Sequence, residues 1–192
     1  MAGKQAKILS NSNISQLLAY AAHTRHPIRN TAIVLLSLKA GLRAGEIAKL
    51  TWDMVVGPDG NIGESIELQD CAAKKGSGRR IPLHQNLRTA LSVLAASSDR
   101  SGPIIRSERG RAAMRPTSIV LWFCSAYRAT GLDGCSSHSG RRTFITRAAR
   151  LVHKAGGSLR DVQLLAGHRS IQTTQRYIDG DTIAQRRLVA LI

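Results

Sequence analysis

Residues 164–177 read Leu164-Leu165-Ala166-Gly167-His168-Arg169-Ser170-Ile171-Gln172-Thr173-Thr174-Gln175-Arg176-Tyr177. Gly167 ends an apolar helical pattern over 159–166, and Ser170 is a suitable N-cap for a second short helix over 171–177. His168 therefore falls on a tight junction between two helices. Tyr177 stands nine residues later, at the end of the second helix. A tyrosine alone at a helix end reads as amphipathic packing with its hydroxyl in water. The chemical alternative is a nucleophile. That alternative requires cations nearby, because a phenol with a pKa near about 10 is a poor nucleophile while neutral.

Two upstream blocks offer such cations. His138-Ser139-Gly140-Arg141 opens a helical pattern over 141–155, with Phe144, Ile145, Ala148 and Val152 as its apolar positions. Backbone N–H groups at a helix start favour anions, and a histidine and an arginine three apart can approach one phosphate. The plain alternative is a surface histidine beside a basic helix face. Further back, Gly41-Leu42-Arg43-Ala44-Gly45-Glu46 places Arg43 where two helices meet, after a run that should be buried. An arginine at a buried end needs an anion. Either Glu46, three residues on, or a phosphate meets that need.

Around these blocks the pattern is mostly helical. Residues 1–11 read as a short basic tail. Helices are expected over 14–22, capped by Ser12 or Asn13, over 30–39, ended by Gly41, and over 44–50. Short, partly β-branched runs at 52–56, 62–68 and 79–83 are separated by Pro58-Asp59-Gly60 and by Lys75-Gly76-Ser77-Gly78. Both separators are turn chemistry, so the runs predict a small three-stranded antiparallel sheet. Helices follow over 85–96, 116–129, 141–155, 159–166, 171–177 and 182–191. Pro116 suits a first helical turn, and Ser158 is an N-cap. The expected fold class is α+β, one mostly helical domain, with no internal repeat and no dividing linker.

Composition narrows the partner. The chain has 192 residues, 43% of them hydrophobic, and a formal net charge of +16. That is enough for one sizeable core, and it excludes a disordered tail. The charge favours a polyanion, nucleic acid first and an anionic membrane surface second. No run of about 18 apolar residues offers a membrane span, and the start lacks the apolar stretch of a signal peptide. Cys71, Cys124 and Cys135 form no C-x-x-C pair and read as thiols in a reducing cytoplasm, with Cys124 packing as a small apolar residue. The acidic residues form no dense cluster suited to Mg²⁺. Arg79, Arg80, Arg106, Arg109, Arg111 and Arg115 read as a solvated basic face, and Trp52 and Trp122 as core or sheet-edge packing.

Taken together, Gly-Leu-Arg-x-x-Glu at 41–46, His-x-x-Arg at 138–141, Gly167-His168 and a tyrosine nine residues on resemble the tyrosine recombinase and phage integrase family. The resemblance runs from about Ile8 to Leu188, the family's catalytic domain, in the short form of fimbrial-type or Xer-type recombinases. On it, residues 12–192 would be that domain, without a separate N-terminal DNA clamp. It implies a site-specific recombinase that cleaves and rejoins double-stranded DNA through a 3′-phosphotyrosyl bond, with no metal or nucleotide cofactor. Integration, excision and inversion all remain open as products.

The resemblance also implies roles. Arg43 and Arg141 would hold the scissile phosphate, His138 and His168 would add hydrogen bonds and help proton transfer, and Tyr177 would attack. A hairpin lysine would protonate the leaving oxygen. Counting back from Pro82 by the family's Lys-x-x-Lys-x-Arg-x-x-Pro-Leu pattern selects Lys74, with Lys75 second. Gly140 departs from the family, which has a large apolar residue there; it either loosens Arg141 or makes room for a neighbouring side chain. Partners implied are duplex DNA, further copies forming a homotetramer through the apolar C-terminal run Leu188-Val189-Ala190-Leu191-Ile192, and accessory DNA-bending proteins, with no membrane. The plain alternative for that run is packing on its own domain. Competing functions are a topoisomerase IB-like relaxase and a DNA-binding regulator or architectural protein that keeps the fold without independent activity.

Overall fold

The computed structural model describes residues 6–74, 76–108 and 112–177, together with 186, 189, 190 and 192. Leu9 is buried; its N–H donates to Thr143 Oγ1 at 2.9 Å and its carbonyl accepts from Arg147 Nη2 at 3.1 Å. The chain then enters α1 (Asn11–Ala22). Ser10 caps this helix, accepting from the Asn13 N–H while the Asn13 side chain accepts from the Ser10 N–H, two or three residues upstream of the expected caps Ser12 and Asn13. Helix α2 (Pro27–Lys39) begins on a proline, whose missing N–H costs nothing in a first turn. Ala32, Ile33, Val34, Leu35, Leu36 and Leu38 are all buried, so α2 is apolar on every side and sits between α1, α4 (Gln85–Ala96) and α6 (Ser139–Leu151). Each of the buried Ile, Val and Leu side chains contributes about 1.5–3 kcal/mol by leaving water. Gly41, with φ +63°, turns the chain out of α2 as expected, and α3 (Ala44–Lys49) follows at once.

The sheet departs from expectation. Among the described residues it has two antiparallel strands, β1 (Ser65–Leu68) and β2 (Arg79–Pro82), with Ile66 opposite Ile81. The predicted strand over 52–56 is instead a 3₁₀ turn, Trp52–Met54. Its backbone bonds are satisfied locally, Met54 N–H to the Thr51 carbonyl and Val55 N–H to the Trp52 carbonyl, while Trp52 sinks into the core. One isolated bridge, Val56 with Ile62, is what remains of the expected pairing.

Helices α4, α5 (Pro116–Ala129) and α7 (Leu159–Ala166) keep their expected bounds. Helix α6 starts two residues early and passes into a 3₁₀ turn, Val152–Ala155. Helix α8 (Ile171–Gln175) stops before Tyr177. The expected helix over 182–191, and with it most of the apolar C-terminal run, lies outside the described residues, as do Lys75, Arg109 and Arg111. Cys124 is exposed rather than packed. A large core joins α1 to α5 with the hairpin, and a smaller one gathers Ile145, Ala149, Val152, Val162 and Ala166 between α6 and α7. No helix is long and apolar enough to cross a membrane among the described residues.

Candidate active site

A cleft of about 450 Å³ is lined by residues from widely separated places in the chain, among them Arg43, His138 with Arg141 and Arg142, His168, and Arg176 with Tyr177. Five of the six residues expected to act together are therefore brought together. Lys74 is not. It sits exposed in the loop between β1 and β2, its carbonyl accepting from Ser77 Oγ at 2.8 Å, and does not line the cleft.

Arg43 is the N-cap of α3, and Glu46 is the anion that the structure sets against it. Its Nη1 donates to Glu46 Oε1 at 2.7 Å and its N–H to Glu46 Oε2 at 3.0 Å, yet its side chain still lines the cleft. Glu46 is only 2% exposed and holds a second arginine, Arg79, through both oxygens. Burial works against the Glu46 carboxylate, but hydrogen bonding and charge from Arg79, then Arg43, outweigh it and bring its pKa down to about 2.

Arg79 corrects an expectation. It is not on the solvated basic face; its side chain is 6% exposed, and its Nε donates to the Leu165 carbonyl at 2.9 Å. The guanidinium thereby ties the hairpin to Glu46 and to the end of α7. Strand alternation carried the signal: Arg79 lies two residues before buried Ile81, on the same face, whereas Arg80 points out. Arg106 is likewise engaged, donating to Asp99 and to the Ser101 and Pro103 carbonyls, while Arg80 and Arg115 are exposed as expected.

Arg141 is buried in α6. Nη1 donates to the Gly41 carbonyl and Nη2 to the Ala166 carbonyl, both at 2.6 Å, and Nη2 also lies 3.2 Å from His168 Nε2. Guanidinium has no acceptor, so Nε2 of His168 must be the lone-pair nitrogen and its proton sits on Nδ1, which donates to Thr174 Oγ1 at 3.0 Å. Burial, followed by the charges of Arg141, Arg43 and Arg79, pushes His168 down to about 4, so it is neutral at physiological pH. The same burial and the neighbouring Arg43 lower Arg141 to about 9. Three of the five Arg141 N–H donors are thus spent on neutral partners, which leaves two for an anion. Glu46 answers Arg43 and Arg79, and no carboxylate lines the cleft among the described residues. Among the described residues, Arg141 is a buried cation whose hydrogen-bond partners are neutral.

Gly140 is what lets α6 come this close to α2. A Cβ there would lie 2.3 Å from Ser37 Oγ and 3.0 Å from Ser37 Cβ. The glycine makes room for a neighbouring side chain.

Tyr177 follows α8 at the cleft wall. Its ring stacks on His168, centroids 5.6 Å apart at 23°, and its underside packs against the smaller core. The ring packs, as the plain reading expects, and arginines line the same cleft. Among the described residues no three His, Cys, Asp or Glu side chains gather as a metal site.

A family model described as the phage integrase family matches residues 7–182. The chain belongs to the phage integrase family. It is 32% identical over 160 residues to the tyrosine recombinase XerC of Rickettsia prowazekii (strain Madrid E), covering 78% of this chain and 47% of that protein. To XerC of Rhizobium meliloti (strain 1021) it is 30% identical over 159 residues, covering 80% and 46%. The chain thus spans about half the length of these curated relatives. In three dimensions it is similar to the XerA recombinase, TM-score 0.74 at 24% identity over 96% of this chain and 64% of that one. It is also similar to a lambda integrase dimer bound to a COC′ core site, TM-score 0.70 at 21% identity over 95% and 50%. At these identities the structural likeness speaks to the integrase fold alone. That fold is α+β and mostly helical, as in this chain.

Proposed function

We propose that this chain is the catalytic domain of a site-specific recombinase that cleaves and rejoins double-stranded DNA through a 3′-phosphotyrosyl bond at Tyr177. The observation that carries this reading is the convergence of Arg43, His138, Arg141 and His168 on the cleft wall where Tyr177 stands, with positive charge that lacks an anion among the described residues lining it. A scissile phosphate supplies that anion. Arg43 and Arg141 take its non-bridging oxygens through N–H groups left free by Glu46 and by the Gly41 and Ala166 carbonyls.

The Tyr177 oxygen forms a bond to phosphorus and the bond to the 5′ oxygen breaks. The phenol proton leaves toward His138 or solvent, and the departing oxygen takes a proton from Lys74, which duplex DNA draws over from the hairpin loop. Because the equatorial oxygens gain negative charge in this step, cations placed in advance lower its barrier. Water does not enter, so the phosphotyrosyl bond stores the phosphodiester energy, and attack by a 5′ hydroxyl reverses the step and rejoins the strand. Guanidinium groups carry the charge neutralisation, and EDTA is therefore expected to leave cleavage unchanged. By analogy with the DNA-bound lambda integrase dimer, further copies are expected to assemble on paired sites through the C-terminal run.

The test is incubation with a suicide duplex, nicked so that the cleaved end diffuses away. A denaturation-resistant protein–DNA adduct should form, and Tyr177→Phe should abolish it while DNA affinity stays. Tight binding with no adduct on any substrate would mark the chain as a regulator instead.

A further inference from the structure

Arg142 follows Arg141 on α6 but turns to a different task. Its guanidinium carbon lies 6.0 Å from the centroid of the Tyr177 ring, and its side chain lines the same cleft. Its Nε is buried with no hydrogen-bond partner among the described residues. A folded protein seldom leaves a buried donor unpaired, and such groups concentrate where function needs them. Among the described residues, the other charged or titratable groups around the ring are otherwise engaged or placed. Arg43 is held by Glu46, Arg141 by two carbonyls and His168, while His138 and Arg176 are exposed. His168, stacked on the ring, is kept neutral first by burial and then by the charge of Arg141, which its Nε2 faces. Among the described residues, Arg142 is thus the cation set over the ring itself.

We infer that Arg142 is a positioning residue for Tyr177: it holds the phenol ring by its face and stabilises the negative charge that the ring carries as its oxygen attacks. A cation over an aromatic face is attracted by the ring's electron density, and more strongly once the phenol is becoming phenolate. The inference rests on Tyr177 being the nucleophile.

The experiment compares wild type, Arg142→Gln and Arg142→Lys in single-turnover cleavage of two suicide duplexes. One carries the natural 5′-bridging oxygen at the scissile phosphate. The other carries sulfur there, a leaving group that needs no protonation. Cleavage by Arg142→Gln should slow roughly three- to thirtyfold on both duplexes, the range expected for one cation–π contact. DNA affinity should stay within about threefold of wild type, since the contact is to the nucleophile and not to phosphate. Arg142→Lys should recover most of the rate, and it reads out the same contact should Arg142→Gln fail to fold.

An unchanged rate overturns the inference. So does a loss that disappears with sulfur, which places Arg142 on the leaving-group side, or a loss in affinity as large as the loss in rate, which makes it a phosphate-docking residue. If the wild-type protein forms no adduct, or Tyr177→Phe still forms one, the reading of the nucleophile fails and the role of Arg142 falls with it. An active wild type with an equally fast Arg142→Gln removes only the latter.

Discussion

Arg79 donates to both carboxylate oxygens of Glu46, at 3.3 and 3.1 Å, and this buried pair lies behind Arg43. It links three segments far apart in sequence: the hairpin, the α2–α3 junction and the end of α7, whose Leu165 carbonyl also accepts from Arg79. Removing one partner strands a charge. Arg79→Met should destabilise the fold by about 3–5 kcal/mol, the usual cost of breaking a buried pair. The double variant Glu46→Gln with Arg79→Met should lose less than the sum of the single losses. Urea unfolding of the four proteins checks this, and additive losses would mean that the pair is not coupled.

The pH dependence follows from two depressed groups. Glu46 titrates at about 2 in the fold, below its ordinary value of 4.5, so its contribution to stability is complete above that value and is lost as pH falls toward 2. His168 is held at about 4, below 6.5, so the unfolded chain binds the extra proton first. Stability is therefore lost as pH falls from about 6.5 toward 4, and then further through the Glu46 window. Imidazole ¹⁵N shifts should show His168 neutral at pH 6, with its proton on Nδ1. A charged His168 at that pH, or a proton on Nε2, would undo the Arg141–His168 contact.

The close approach at Gly140 is testable by its smallest change. Gly140→Ala puts a methyl 2.3 Å from Ser37 Oγ and must push α6 away from α2. Overpacking of this kind costs about 1–3 kcal/mol, and the shift also carries Arg141 off its carbonyl partners. Adduct formation should fall more than tenfold while the protein still folds. Ser37→Ala in the same chain removes the nearest atom and should restore part of the rate; no restoration would place the clash elsewhere.

The leaving-group side separates the two hairpin lysines. Lys74→Ala should slow cleavage of an ordinary phosphodiester by about a hundredfold or more, the usual scale for a lost general acid, and should regain most of that rate with a sulfur leaving group. Lys75→Ala should change both rates little. The opposite assignment would show that the count back from Pro82 selected the wrong residue.

Much of this arrangement was legible because it is local. The helix break at Gly167, the nine-residue step to Tyr177 and the His-x-x-Arg spacing at α6 are all short-range patterns, and the structure places their residues on one cleft. What was not legible is long-range. Arg79 looked like half of a solvated Arg-Arg doublet until Glu46, 33 positions earlier, closed on it. The run 52–56 had strand composition, but burial of Trp52 selected a local 3₁₀ turn. Whether Gly140 loosened or accommodated was settled by Ser37 on another helix. Lys74 is the remaining case: the resemblance to the family selects it, while the hairpin leaves it exposed and off the cleft wall.

The central claim is a covalent bond between one named side chain and DNA. Adduct trapped on a suicide duplex, trimmed with nuclease and digested with trypsin, should yield the peptide from Tyr177 to Arg186 carrying nucleotide through a 3′ phosphate, with Tyr177 as the modified residue. Nucleotide on any other residue, or attached through a 5′ phosphate, would contradict the account.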